Sequence, residues 1–91
     1  MTSISRLPAP VADAAAELRG RGLAPSPWSA GPGTVFAPHE HARTKRLYVV
    51  RGSIAFDGME IRAGEGILVP AGCRHSAVAG DDGVECVEAF E

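Results

Sequence analysis

From residue 33 onward, apolar and polar positions alternate in short runs broken by glycine-containing turns. The strand-like pieces are Thr34–Ala37, Arg46–Val50, Ser53–Phe56, Met59–Arg62, Ile67–Val69, His75–Ala79 and Val84–Phe90. Breaks fall at Gly52, at "DG" (57–58), "AGEG" (63–66), "PAG" (70–72) and "GDDG" (80–83). Many short strands with turns every few residues predict an all-β antiparallel sandwich or barrel. Nothing in this region supplies the crossover helices that parallel strands need. Leu47 and Val49 alternate with Tyr48 and Val50, so one set faces the core and the other a second layer or solvent. Phe36, Phe56 and Phe90 read as core.

The first 32 residues have a different texture. Val11 to Arg19 is alanine-rich with Glu17 and Leu18, Pro10 suits a first helical turn, and Gly20 suits a stop, which predicts one short helix. "RGLAPSPWSAGPG" then reads as an extended connection whose prolines confine any strand to an edge. The expected organisation is a single domain: residues 1–32 as N-terminal helix and connection, 33–91 as barrel.

Composition changes this picture little. The chain has 91 residues, 45% hydrophobic and 22% charged, with a net charge of −2. That allows one modest core and gives no case for nucleic-acid binding or a basic membrane-binding surface. No apolar stretch is long enough to span a bilayer, and the N-terminus lacks the apolar region of a secretory signal, so a cytoplasmic protein is expected. Cys73 and Cys86 have neither metal-site nor redox-motif spacing. They read as small buried hydrophobes, with a disulfide as the alternative.

Candidate chemistry concentrates in the histidines. In "PHEHARTKRLYVVRG" (38–52), His39 and His41 are two residues apart. On a strand they would share a face, with Cβ atoms roughly 6.5–7 Å apart, close enough for two imidazoles to converge on one ion. Alone the pair is equally compatible with surface or core histidines. His75, the third and last histidine, follows a Pro-x-Gly turn and also begins a strand.

With these residues in place, the chain resembles the cupins. "GTVFAPHEHARTKRLYVVRG" is similar to the first cupin motif, G-x5-H-x-H-x3-E-x6-G, at Gly33, His39, His41 and Gly52. "GEGILVPAGCRHSAVA" is similar to the second, G-x5-P-x-G-x2-H-x3-N, at Gly64, Pro70, Gly72 and His75. The resemblance spans residues 33–79 and is to small, single-domain RmlC-like cupins. It implies a jelly-roll barrel, also called a double-stranded β-helix, and one divalent metal ion held by the motif histidines. Its members include dioxygenases, isomerases, epimerases, storage proteins and ligand sensors, so the fold leaves the function open.

Two motif positions differ: Lys45 stands where the glutamate belongs and Ala79 where the asparagine belongs. An inward ammonium about 4 Å from a divalent ion would cost about 8 kcal/mol at an effective dielectric near 20. Three outcomes relieve that repulsion. Lys45 loses its proton and becomes a base or ligand; it snorkels outward; or the site holds no metal. Three neutral imidazoles suit zinc, iron, nickel, copper or manganese better than magnesium or calcium. Without a carboxylate the site keeps its dipositive charge and favours an anionic ligand.

Other residues offer weaker signals. Gly33, Gly52, Gly64, Pro70 and Gly72 read as turn formers. Arg43 and Arg46 either draw in an anion or sit in a solvated loop. Tyr48 reads as core before ligand contact. Trp28 either covers a barrel end or packs at a subunit contact. Cys73 shares the facing parity of His75. Glu85 and Glu88 have opposite parity, so at most one points inward.

The expectation is a small cupin binding one divalent transition metal through His39, His41 and His75, with Lys45 as the candidate catalytic residue. It acts either as a dioxygenase- or isomerase-like metalloenzyme on a small anionic compound, or as a non-catalytic ligand-binding or sensing cupin. Exposed edge strands predict a homodimer.

Overall fold

The computed structural model describes residues 3–91. In chain order the elements are β1 (Ser5–Arg6), α1 (Ala14–Gly20), β2 (Ser26–Ala30), β3 (Val35–His39), β4 (Lys45–Phe56), β5 (Met59–Arg62), β6 (Gly66–Val69) and β7 (His75–Phe90). All pairings are antiparallel. The main path runs β1-β6-β4-β7-β2, with β3 also on β7 and β5 also on β4. This is an all-β antiparallel architecture with one short helix, as the resemblance implies. Among the described residues no helix is long and apolar enough to cross a membrane.

Two expected breaks do not end strands. Gly52 lies inside β4 and the "GDDG" segment inside β7. The reason is local: Gly52 and Gly83 have φ of 79° and 76°, and the β4–β7 register shifts between Val49 and Arg51 and again between Gly52 and Ile54. Such bulges bend a ladder without ending it. The bend brings the two strands so close that a Cβ on Gly52 would run into the carbonyl oxygen of Gly83.

The N-terminal segment is also more structured than its composition predicts. Residues 26–30 pair with β7 as a strand, at the end of the main path, where Pro27 is tolerated. Ser5 and Arg6 pair with β6. The helix begins later than expected, at Ala14, because Asp13 caps it by accepting a hydrogen bond from the Ala16 N–H at 3.0 Å.

Alternation along β4 divides the interior in two. Leu47 and Val49 join Ile54, Phe56, Ile61, Ile67 and Val69 in the barrel core. Tyr48 faces the other way and packs with Ala89 beneath Ala14 and Leu18 of the helix. The helix thus covers the outer face of β4 and β7 around Tyr48 and Ala89, and the inner face is left to carry chemistry.

Candidate metal centre

The inner face at one end of the barrel is built from strand termini. His39 is the last residue of β3, His75 the first of β7, and the two are direct cross-strand partners. His41 does not share a strand with His39 as expected, because β3 ends at His39 after a register irregularity beginning at Phe36. Its position comes from the loop instead. The Gly72 N–H donates to the His41 carbonyl at 2.8 Å, and the Ala71 N–H donates to Thr44 Oγ1 at 3.2 Å. These bonds stitch the two motif loops together and bring His41 to His75.

The three rings form a triangle. Centroid distances are 4.4 Å for His39–His75, 4.9 Å for His39–His41 and 5.2 Å for His41–His75. One nitrogen from each lies within 4.8 Å of the others. His39 and His75 each spend Nδ1 on a backbone carbonyl, of Ala37 at 2.7 Å and of Cys73 at 2.9 Å. A proton on Nδ1 leaves Nε2 as a lone pair. Nε2 of His41 and Nε2 of His75 are buried and have no hydrogen-bond partner. Buried polar atoms are normally paired, so two unpaired ring nitrogens in one three-histidine cluster fit a cation with nitrogen-directed ligands.

The electrostatics favour neutral rings at His41 and His75. Burial, then the Lys45 ammonium and the other two imidazoles, hold the His41 pKa below its usual 6.5, against an opposing pull from Glu88. Burial lowers that of His75 as well, with His39 and Lys45 adding to the effect and the Cys73 carbonyl opposing it. Neutral imidazole is the ligating form.

Lys45 points inward and is only 6% exposed, so the snorkelling outcome does not hold. Its ammonium meets a carboxylate: Nζ lies 3.4 Å from Glu88 Oε1, and the Trp28 indole N–H donates to the same oxygen at 2.7 Å. Glu88 is therefore the inward residue of the Glu85/Glu88 pair. Parity narrowed the choice to one of the two, but the diagonal contact with Lys45 has no signal in the sequence. Phe90 adds to the enclosure, 5.3 Å from the His41 ring and 6.0 Å from the Lys45 ammonium. A cavity of about 260 Å³ opens here, with Trp28, Phe36, Ile54 and Phe56 among its walls and His39, His75, Lys45 and Glu88 as its polar groups.

Of the other candidates, Trp28 alone lines this cavity. Arg43 donates to the Glu91 and Phe90 carbonyls, and Arg46 pairs with the Glu91 carboxylate at 2.6 Å. Both secure the end of β7, and neither lines the cavity. Trp28 is a cavity wall, in edge-on contact with Phe36 at 5.5 Å. Cys73 contributes its carbonyl to His75, while its thiol is buried with the core and stands outside the histidine cluster. Both cysteines are free. Tyr48 is in the layer under the helix.

Comparison with known proteins agrees with this architecture. The chain is similar in fold to ChrR as seen in the crystal structure of Rhodobacter sphaeroides SigE in complex with the anti-sigma ChrR (TM-score 0.68, 17% identity, covering 76% of this chain and 39% of that one). It is also similar to an RmlC-like cupin from Shewanella frigidimarina (TM-score 0.65, 26% identity, 75% and 64% covered). A third similar structure is the polyketide cyclase RemF from Streptomyces resistomycificus (TM-score 0.65, 25% identity, 75% and 54% covered). The chain thus spans between 39% and 64% of the length of these proteins. No curated protein sequence matches it. The family model described as "ChrR Cupin-like domain" matches residues 26–89, from β2 almost to the end of β7, and the chain therefore belongs to the ChrR cupin-like family of small cupins.

Proposed function

We propose that this protein binds one divalent transition metal ion through His39, His41 and His75 and presents it to a small molecule in the adjoining cavity. One observation carries the reading: the unpaired, buried Nε2 atoms of His41 and His75 in a three-histidine cluster. Zinc, iron, nickel, copper and manganese all accept such imidazole sets. A metal ion bound there supplies Lewis acidity. The protein's own part is to fix the His39 and His75 rings through the Ala37 and Cys73 carbonyls, to keep His41 and His75 neutral by burial, and to exclude water with Phe56, Phe36 and Trp28. Lys45 and Glu88 add one proton donor and one acceptor at the cavity wall, the equipment of a dioxygenase- or isomerase-like enzyme acting on a small anionic compound.

A second reading, a non-catalytic ligand-sensing cupin, draws on the family itself, because the ChrR of the similar structure is an anti-sigma protein in complex with SigE. Both readings place the protein in the cytoplasm as a homodimer. Support for the dimer is the exposed apolar pair on β3 and β7, Val35 at 74% and its cross-strand partner Val78 at 41%.

The test is metal analysis of protein purified without chelators or a histidine tag, beside His75→Ala. The expected result is one equivalent of metal in the wild type and a large loss in the variant. Substoichiometric metal in both samples sinks the proposal. Turnover against ligand-induced stabilisation without turnover then separates the two readings.

A further inference from the structure

The cavity has a feature that metal binding does not use. Its walls are mostly apolar, and on them, apart from the histidines, lies one cation. Lys45 is 6% exposed, and among the described residues Glu88 is the one carboxylate within 4.0 Å of its ammonium. An ammonium has three N–H donors. Glu88 engages it at 3.4 Å, while the Trp28 N–H holds the same carboxylate oxygen in place at 2.7 Å. Lys45 is thus a fixed cation with donors to spare, facing an aromatic and aliphatic enclosure.

We propose that this cavity takes a compact apolar monocarboxylate, its ring or branched chain between Trp28, Phe36, Ile54 and Phe56 and its carboxylate bound by Lys45.

Size sets the upper limit. An apolar cavity of about 150 Å³ accommodates benzene, so about 260 Å³ has room for one ring and a carboxylate and little more. Charge sets the valence. Glu88 shares the ammonium and repels a second negative charge, which disfavours phosphate dianions. Lysine is a point charge without the fork that phosphate recognition exploits. Lys45 and Glu88 together are formally neutral, so one anionic ligand offsets part of the dipositive charge of a metal ion at the histidines. The proposal rests on the metal reading for that balance alone, because Lys45 holds the carboxylate directly.

The experiment is calorimetric titration with benzoate and with benzyl alcohol, a neutral compound of similar shape. Wild type and Lys45→Met are compared, each metal-loaded and chelator-treated, with metal content measured on every sample. The wild type is expected to bind benzoate at least about tenfold more tightly than benzyl alcohol, in both metal states. Lys45→Met is expected to lose about tenfold in benzoate affinity while retaining benzyl alcohol, which shows that the cavity is intact. Equal affinity of wild type for the two probes overturns the proposal, as does a benzoate preference that disappears with the metal, or a Lys45→Met protein that binds benzoate unchanged. The wild-type comparison stands even if Lys45→Met misfolds. Lysine-dependent benzoate binding in a protein that takes up no metal would uphold this site and reject the metal reading alone.

Discussion

Glu88 reaches Lys45 diagonally across the β4–β7 ladder. Its direct cross-strand partner is Leu47, two residues further along β4 and on the same face as Lys45, yet its Oε1 lies 3.4 Å from the Lys45 ammonium. Diagonal neighbours in an antiparallel pair are within reach of long side chains. A carboxylate is thus present after all beside the lysine that replaces the motif glutamate, supplied from the other strand and held by Trp28.

Removing one partner of this pair leaves a buried charge. Glu88→Leu is expected to destabilise the fold by about 3 kcal/mol, measured by chemical denaturation. The double variant Lys45→Met/Glu88→Leu should recover most of that loss, since an apolar pair strands no charge. Additive costs in the double-mutant cycle would show that the two residues do not interact.

Metal-free protein should lose stability in mild acid. His41 and His75 have folded pKa values below 6.5, so the unfolded chain takes up their protons first as pH falls. Stability is complete above about 6.5 and declines below it, until the folded-state pKa values are passed. Saturating metal should raise the denaturation midpoint at neutral pH and steepen the acid loss, since protons compete for the same nitrogens. A metal-free midpoint that rises between pH 7 and pH 5 would contradict this ordering of pKa values.

Cys86 should be inert in the folded state. Burial, with Glu88 adding to it, pushes its thiol up to about 12, and the thiolate is the reactive form. Alkylation at pH 8 is expected to track unfolding, becoming rapid only in denaturant. Prompt modification of Cys86 in native conditions would show that the wall behind Glu88 opens readily.

Gly52→Ala tests the strand crossing. Gly52 combines a φ of 79° with a backbone oxygen where a Cβ would lie. Neither strain is relieved by turning a side chain. The expected cost exceeds about 2 kcal/mol, against a small effect at Gly22, where the φ is 77° but the space is open. Equal costs at both positions would remove the role assigned to the crossing.

The sequence carried the all-β antiparallel character, the alternation of Leu47 and Val49 against Tyr48 and Val50, and the spacing of the three histidines, because two-residue periodicity and motif spacing are local properties. It missed the continuity of β4 and β7, because Gly52 and Gly83 look like chain breaks and whether a positive φ bends or ends a strand depends on a partner far away in sequence. It read β2 only as an extended connection, although the restriction of any strand there to an edge holds, with Pro27 on a strand at the end of the path. The His39–His41 pairing was right in outcome and wrong in cause, since a loop hydrogen bond from Gly72 does the work assigned to strand alternation. The Trp28–Glu88–Lys45 chain was out of reach, because it joins three strands by contacts that no spacing encodes.

The placement of His75 and Glu88 on β7 sets an order of events during folding. β7 is the last strand described, and it pairs with β2, β3 and β4. A growing chain that has reached only residue 70 offers the two histidines before β4, a weak chelate with no enclosing wall. The third imidazole and the carboxylate that neutralises Lys45 arrive together, when distant pairings close and loop-closure entropy has been overcome. The ammonium of Lys45 meanwhile repels cations from the half-formed site. If the three histidines hold an ion as proposed, full-affinity capture follows completion of the barrel, and its rate reports the final step of chain docking.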